Sequence, residues 1–391
     1  MRHWILVVLA TALLSGRLYG AELVLSPAGP EEVVFKWEVD RCDAEDFPDS
    51  PARAYRRGDG KLVVSAAHFT NLQRVGDGFD HLRSSCRSIF RSAMDSRPDA
   101  FNARTWLQTF YVVGDDKVVA LGSADYHGEW FNNCNSRGIP GTNCWWSALI
   151  VAISTDGGQS FEAPQPPHHI MARPQIEYSP DARSPTGYFT TSNIVRGRDG
   201  AYYTLVFSFG HAGQSRGVCL LRALDPAEPS QWRAFDGEAF RVDLRPGQVQ
   251  GLGAQAEAGC KTMANLDAPV RSLLWHQDSG RYVAVLASWS RAGATTDAGV
   301  RIEFQTATSS DLWRWTRPRP FASMVSKSGC PRPLEDVAYP SLIDHESQDR
   351  NFGTLGSRAY VYYTRFNRPG GCGATPNRDL IRFPVRVSTN E

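Results

Sequence analysis

Excess charge is the first thing this sequence lacks. Its 391 residues carry 42 Lys+Arg against 41 Asp+Glu, a formal charge of +1. That balance excludes the strong basic excess of a dedicated nucleic-acid binder. Lysine itself is scarce: five of the 42 basic residues are Lys, at 36, 61, 117, 261 and 327, an arginine bias we ascribe to genomic composition. Cysteine never occurs as C-x-x-C, which disfavours a zinc ribbon or a thioredoxin-type redox pair. The apolar run from Trp4 to Leu14 falls short of the roughly 20 residues of a membrane-crossing helix. Little else reads as a long amphipathic helix. At 42% hydrophobic and 21% charged the chain is neither disordered nor fibrous.

What is present begins with an export signal. Arg2 and His3 precede the apolar run, and the small residues Ser15, Gly16, Gly20 and Ala21 follow it, so residues 1–21 are expected to be a signal peptide. Leu18 and Tyr19 are bulkier than a cleavage site usually has, and a buried N-terminal strand is the competing reading. All eight Cys lie beyond this segment, and an even count in an exported chain favours disulfides. Eight Cys allow 105 pairings. The expected set is local: Cys42–Cys86, Cys134–Cys144, Cys219–Cys260 and Cys330–Cys372. The second is the best motivated, because it would staple a short Gly/Pro loop. Secretion or the periplasm is the expected location.

Length alone suggests two or three domains, although β-rich folds often exceed 200 residues as one unit. An internal pattern decides between these. Five times an apolar strand, a polar turn and an alternating Val/Tyr/Leu strand follow one another as a β-hairpin. The copies pair Pro51–Arg56 with Lys61–His68, Trp106–Tyr111 with Val118–Asp125, Ser192–Arg196 with Ala201–Ser208, Val270–Trp275 with Arg281–Ser288, and Tyr339–Asp344 with Arg358–Arg365. Between them, Ser154-Thr-Asp-Gly-Gly-Gln-Ser-Phe161 resembles the Asp-box of sialidase-type propellers. Degenerate versions follow at Ser309–Trp315 and Asp225–Trp232. These read as structural turns, with Asp bonding the turn backbone and the aromatic plugging the sheet.

The expected fold is therefore all-β: a single five-bladed β-propeller over residues 22–391, with blades near 45–100, 101–178, 179–262, 263–333 and 334–391. Val33–Glu38 is expected to lie beside Leu380–Arg386 and close the ring from both termini, hiding sheet edges.

Hairpin geometry then predicts a central funnel, because residues before the first strand and after the second of each blade share one face. The preceding set is Asp46, Asp49, Arg104, Asn193, Asp267, Glu335 and Asp336. The following set is His68, Asp125, His127, Glu129, His211, Trp289, Arg291 and Arg365. Asp125, His127 and Glu129 would share one strand face. Acids, His and Trp together suit a polyhydroxylated ligand, and crowded carboxylates raise at least one pKa, as a general acid needs. Asp49, Asp125, Glu129 and Asp336 are the candidate catalytic acids. Asp46, Arg53, His68, His127, Asn193, His211, Asp267, Trp289, Glu335 and Arg365 are candidate binding residues. For any one of them, turn capping or pairing with Arg53, Arg104 or Arg365 is the plainer reading. No metal site and no cofactor are expected, beyond a structural ion that a central channel has room for. The expected ligand is an oligo- or polysaccharide, with no nucleic acid and no membrane span, and the expected state is a monomer.

With Asp46-Phe-Pro-Asp-Ser-Pro-Ala-Arg53, Ala124-Asp-Tyr-His-Gly-Glu129 and Ser154-Thr-Asp-Gly-Gly158, the chain looks like secreted bacterial propeller proteins of unassigned function. In repeat architecture it resembles the five-bladed β-propeller glycoside hydrolases: arabinanases, xylosidases, invertases and levansucrases. That resemblance implies a base or nucleophile Asp opening the first blade, a second Asp opening the second, and an acid Glu opening the third. Asp49 matches the first position. Residues near Arg104 and Ser192–Asn193 stand at the other two, so the remaining acids would come from neighbouring strand ends. The resulting expectation is a carbohydrate-active protein, a glycosidase if an enzyme, using Asp49 as base or nucleophile, Glu129 as acid and Asp125 or Asp336 as orienting charge. A non-catalytic glycan- or partner-binding propeller is the alternative. A sialidase-like enzyme, with Arg53, Arg104 and Arg365 as an arginine trio, is a third. A funnel of acids balanced by Arg elsewhere would favour a neutral sugar.

Overall fold

The computed structural model describes residues 22–137, 141–211, 213–245, 259–291, 299–326, 336–368 and 372–390. The expected signal peptide and Glu335 lie outside them. Within them the regular structure is almost all β-strand, beside one four-residue helix and three 3-10 turns. Five antiparallel meanders follow in chain order. The first comprises Pro48–Arg56, Leu62–Ala67, Arg74–Gly76 and Arg83–Ser84. The second comprises Thr105–Val112, Val118–His127, Trp145–Ser154 and Ile170–Ala172. The third runs from Thr186–Thr191 through Tyr202–Ser208 and Gly217–Ala223 to Arg233–Phe235 and Phe240–Val242. The fourth comprises Ser272–His276, Arg281–Arg291, Val300–Ser309 and Arg319–Ser326. The fifth comprises Val337–Ile343, Arg358–Phe366 and Arg378–Asn390.

The fifth meander takes its outer strand from the other end of the chain. Glu22–Pro27 pairs with Val385–Asn390, and Glu32–Phe35 pairs with Leu380–Arg382. The expected strand Val33–Glu38 is thus half right. At Trp37 the backbone N–H donates to Asp379 Oδ1, and the chain turns into the short helix Trp37–Asp40. The third hairpin is also shifted: Thr186–Thr191 is its long first strand, and only Val195–Arg196 of the expected segment pairs. Ser192 interrupts it by accepting the Leu205 N–H on its own hydroxyl.

Turn chemistry explains why the hairpins recur. At Gly60 and Gly200 φ is 82° and 80°, a left-handed conformation glycine adopts without steric cost. In both turns the preceding Asp accepts from the residue after the glycine, Asp59 from Lys61 N and Asp199 from Ala201 N. Other turns use Ser and Asp instead. Asp156 Oδ1 accepts from Gln159 N and Ser160 N, and Phe161 is buried behind it. Asp311 Oδ1 accepts from Arg314 N, with Trp315 buried likewise.

The core lies between meanders. Tyr55, Val63 and Phe110 join the first to the second; Val119, Leu149, Leu221 and Trp232 join the second to the third. Leu205, Phe207, Leu286 and Trp315 join the third to the fourth; Leu274, Phe304, Val361 and Phe383 join the fourth to the fifth. Ile343, Tyr362, Leu62 and Val64 then join the fifth back to the first. The packing is therefore cyclic. Each fully buried side chain of this size contributes about 1.5–3 kcal/mol. Three disulfides, Cys42–Cys86, Cys134–Cys144 and Cys219–Cys260, match the expected pairs. Cys372 is disulfide-bonded, and Cys330, its expected partner, lies outside the described residues.

Candidate functional site

The first strands of four meanders break register at one level: between Pro48 and Arg53, Leu107 and Thr109, Phe189 and Thr191, and Ala338 and Ser341. Such irregularities bend a strand and re-aim its side chains. Thr190 and Tyr339 there take φ values of 42° and 59°, strained for residues with a Cβ and common where structure serves a site. Hydrogen bonds link these first strands in cyclic order. Trp106 Nε1 donates to Asp49 Oδ2 at 3.0 Å, and the hydroxyls of Thr109 and Thr191 meet at 2.8 Å. Ser272 Oγ donates to Asn193 Oδ1 at 3.3 Å and accepts from Leu342 N at 3.1 Å. Tyr339 OH returns to Asp49 Oδ1 at 3.1 Å. Asp49 joins the two ends of that circuit.

Asp49 also accepts from Arg378 Nη1, and His68 Nε2 stands 4.0 Å from it. His68 stacks on Phe47 at 4.1 Å, with Glu45 3.2 Å from its Nδ1. Burial drives the His68 imidazole down to about 4, against the pull of Asp49, so the ring is neutral at neutral pH.

Beside this cluster, Asp125 pairs in register with Ser147 and accepts from the hydroxyls of Ser123 and Ser147. Burial raises its carboxyl to about 6, although both serines, Arg104 and Trp145 act in the opposite direction. Arg104 is brought down to about 9 by burial, while Asp125, Asp49 and Glu45 support its charge. Its guanidinium lies against the Trp130 ring, with Phe69 and Trp106 at 5.4 and 5.7 Å. Its Nε and Nη2 are buried without a hydrogen-bond acceptor. His127 stacks on Trp145 at 4.7 Å and on Trp130 at 5.8 Å. Burial and the Arg104 charge push His127 down to about 3.

Asp49, His68, Asp125 and His127 thus gather around Arg104. Arg53 lies deeper: its Nη1 donates to Ala52 O, its Nη2 to Thr191 O, and burial together with the Arg271 charge lowers it to about 9. Asn193 Oδ1 holds the third meander to the fourth.

The other expected residues stand apart. Glu129 leaves the Asp125–His127 face because a 3-10 turn, Gly128–Phe131, begins directly after His127; it accepts from Gly141 N and Asn143 Nδ2. Asp336 accepts from Ser326 Oγ and Arg368 Nε. Arg365 is paired with Glu31 and Tyr363 OH, so no trio forms with Arg53 and Arg104. Asp46 is buried against Arg74 and caps Cys42 N. His211 packs edge-on to Tyr188, and burial lowers it to about 4. Asp267 is exposed, and Trp289 is 68% exposed on the hairpin arm Arg281–Arg291.

Sequence reasoning missed Trp106, Trp130, Trp145, Tyr339 and Arg378. Trp106 and Tyr339 open the second and fifth hairpins, so the same positional rule would have found them. Among the described residues no group of three His, Cys, Asp or Glu could hold a metal ion, and no helix is long and apolar enough to cross a membrane.

No protein-family model matches the chain, and no curated protein does. Solved structures to which it is similar include an endo-arabinase from Bacteroides thetaiotaomicron, at 10% identity and a TM-score of 0.47, covering 92% of this chain and 99% of that one. An α-L-arabinanase from Cellvibrio cellulosa, solved with arabinohexaose, aligns at 12% identity and a TM-score of 0.45 over 86% and 90% of the two chains. An exo-1,5-α-L-arabinanase from a bovine ruminal metagenomic library aligns at 9% identity and a TM-score of 0.45 over 88% and 94%. At such distances the likeness fixes neither the family nor the activity of this chain.

Proposed function

We propose that this is a secreted, carbohydrate-active β-propeller of five blades, each meander one blade, with its glycan in the central funnel between Asp49 and Trp130. The observation that carries the reading is the pairing of two unlike carboxyls across Arg104. Asp49 is an acceptor in every contact it makes, from Trp106, Tyr339 and Arg378. Asp125 is pushed by burial to about 6, so it holds a proton for part of the neutral range. A carboxyl that holds a proton, set beside one that only accepts hydrogen bonds, supplies an acid and a base. Hydrolysis would use Asp125 as proton donor and Asp49 as base or nucleophile, with His68 and Arg378 orienting Asp49. The exposed Trp130 offers apolar surface to a sugar face. The disulfides support an oxidising compartment.

A non-catalytic glycan-binding propeller is the second reading. It is favoured by the depth of Asp125, 5% exposed beneath two serine hydroxyls. Incubation with a panel of arabino-, xylo-, galacto- and uronate oligosaccharides separates the two. Hydrolysis predicts turnover that falls about a hundredfold or more in both Asp49→Asn and Asp125→Asn. Binding alone predicts retention of one glycan class with no product in any sample. If nothing on the panel binds or turns over, both readings fail.

A further inference from the structure

At Arg104 charge and hydrogen bonding part company. The residue is 2% exposed, yet Nε and Nη2 find no acceptor. Three carboxylates act on it through space, Asp125, Asp49 and Glu45, and each is engaged elsewhere. Asp125 serves Ser123 and Ser147. Asp49 serves Trp106, Tyr339 and Arg378, and Glu45 faces His68. A buried donor without an acceptor is costly, and more so when charged.

The two orphan nitrogens are not an arbitrary pair. Nε–H and the neighbouring Nη2–H point the same way along one edge of the guanidinium, the edge that meets a carboxylate with two parallel hydrogen bonds. A sugar hydroxyl could satisfy one of them. Trp130 covers a face of the guanidinium and is 54% exposed, so the side chain that shields Arg104 from solvent also offers apolar surface for a pyranose ring. The funnel is also less acidic than the sequence suggested, because Arg104 and Arg378 stand beside Asp49.

We infer that Arg104 receives the carboxylate of an acidic sugar, so that the funnel selects a uronate-bearing glycan over a neutral one; this rests on the glycan-binding reading above. Nε and Nη2 would each donate to one carboxylate oxygen, with the sugar ring lying along Trp130.

Methyl esterification removes the carboxylate charge while leaving the sugar ring intact, and therefore isolates this contact. Binding of galacturonate, mannuronate and glucuronoxylan oligomers, each as free acid and as methyl ester, is measured by calorimetry on the full chain. The wild type is expected to bind one free acid about tenfold to a hundredfold more tightly than its ester. Arg104→Gln should abolish that preference, and Arg104→Lys, which keeps the charge but loses the fork, should restore part of it. Equal affinity for acid and ester overturns the inference, as does a preference unchanged in Arg104→Gln. If Arg104→Gln does not fold, the acid–ester comparison on the wild type still decides. Binding to neutral arabino- or xylo-oligosaccharides alone overturns this inference and leaves the glycan reading standing. Binding to no saccharide overturns both.

Discussion

Two clusters of Asp and Arg, drawn from the same residue types, behave in opposite ways in this molecule. At the rim, Arg365 pairs with Glu31 and Tyr363, and Asp336 with Arg368. Burial works against the Arg365 charge, but its partners outweigh it and its proton affinity rises. Beside the hydrogen-bonded circuit, Arg104 has three acids in electrostatic range, and burial lowers its proton affinity to about 9. The difference lies in commitment: Arg365 and Asp336 are satisfied by their partners, whereas the acids around Arg104 are bonded to other groups and leave its Nε and Nη2 without an acceptor. Counting charged residues would have ranked the two clusters alike; following each hydrogen bond separates them.

The sharpest way to break this comparison is to delete one acid from each cluster. Asp49→Ala removes the shared part-buried acceptor of Trp106, Tyr339 and Arg378, and should cost about 1.5–3 kcal/mol, as for hydrogen bonds to a charged group. Denaturant unfolding would read this as a lowered midpoint, and a loss below about 1 kcal/mol would mean that Asp49 does not hold the centre. Asp336→Ala, at a half-exposed ion pair, should stay within about 1 kcal/mol. An equal loss in both variants would erase the distinction.

Acid should sharpen the same contrast. His68 and His127 have folded-state affinities of about 4 and about 3, below the ordinary value of 6.5. A depressed imidazole favours the fold above its unfolded pKa, so stability should fall as pH drops from about 6.5 toward 4. Asp125 has the opposite sign: its raised carboxyl favours the fold when protonated, and that contribution fades as pH rises from about 4 through 6. His127→Gln should flatten the acid limb of a melting-temperature profile, and an unchanged limb would show that His127 is not buried neutral. The smallest effect concerns Asp125 itself. Its carbon-13 carboxyl titration should have a midpoint near 6, moving upward in Arg104→Met as the supporting charge is lost; a midpoint near 4 would remove it as a proton donor.

Most of the architecture was legible because it is local. The paired turns at Asp59 and Asp199 and the alternating strands after them follow from period and turn chemistry. The cluster around Arg104 was legible where hairpin ends suffice: that rule puts Asp49, His68, Arg104 and Asp125 on one face, and they gather there. It failed where a short turn intervened, as at Glu129, where the chain leaves the strand one residue after His127. It failed again where a partner comes from outside the hairpins. Arg378 reaches Asp49 across 329 positions from the third strand of its meander, a placement that no local pattern encodes.

That separation carries a consequence for how the molecule comes to have a site at all. Asp49 sits on the first meander, while Tyr339 and Arg378 belong to the fifth, whose outer strand is supplied by Glu22–Pro27. Contacts this distant in sequence form late and slowly, because a long loop must close before they repay its entropy. An open arc of four meanders would have strands, turns and most of its core, yet no assembled Asp49. Asp49 therefore acts as a clasp, its bonds to Tyr339 and Arg378 holding the first and fifth meanders together.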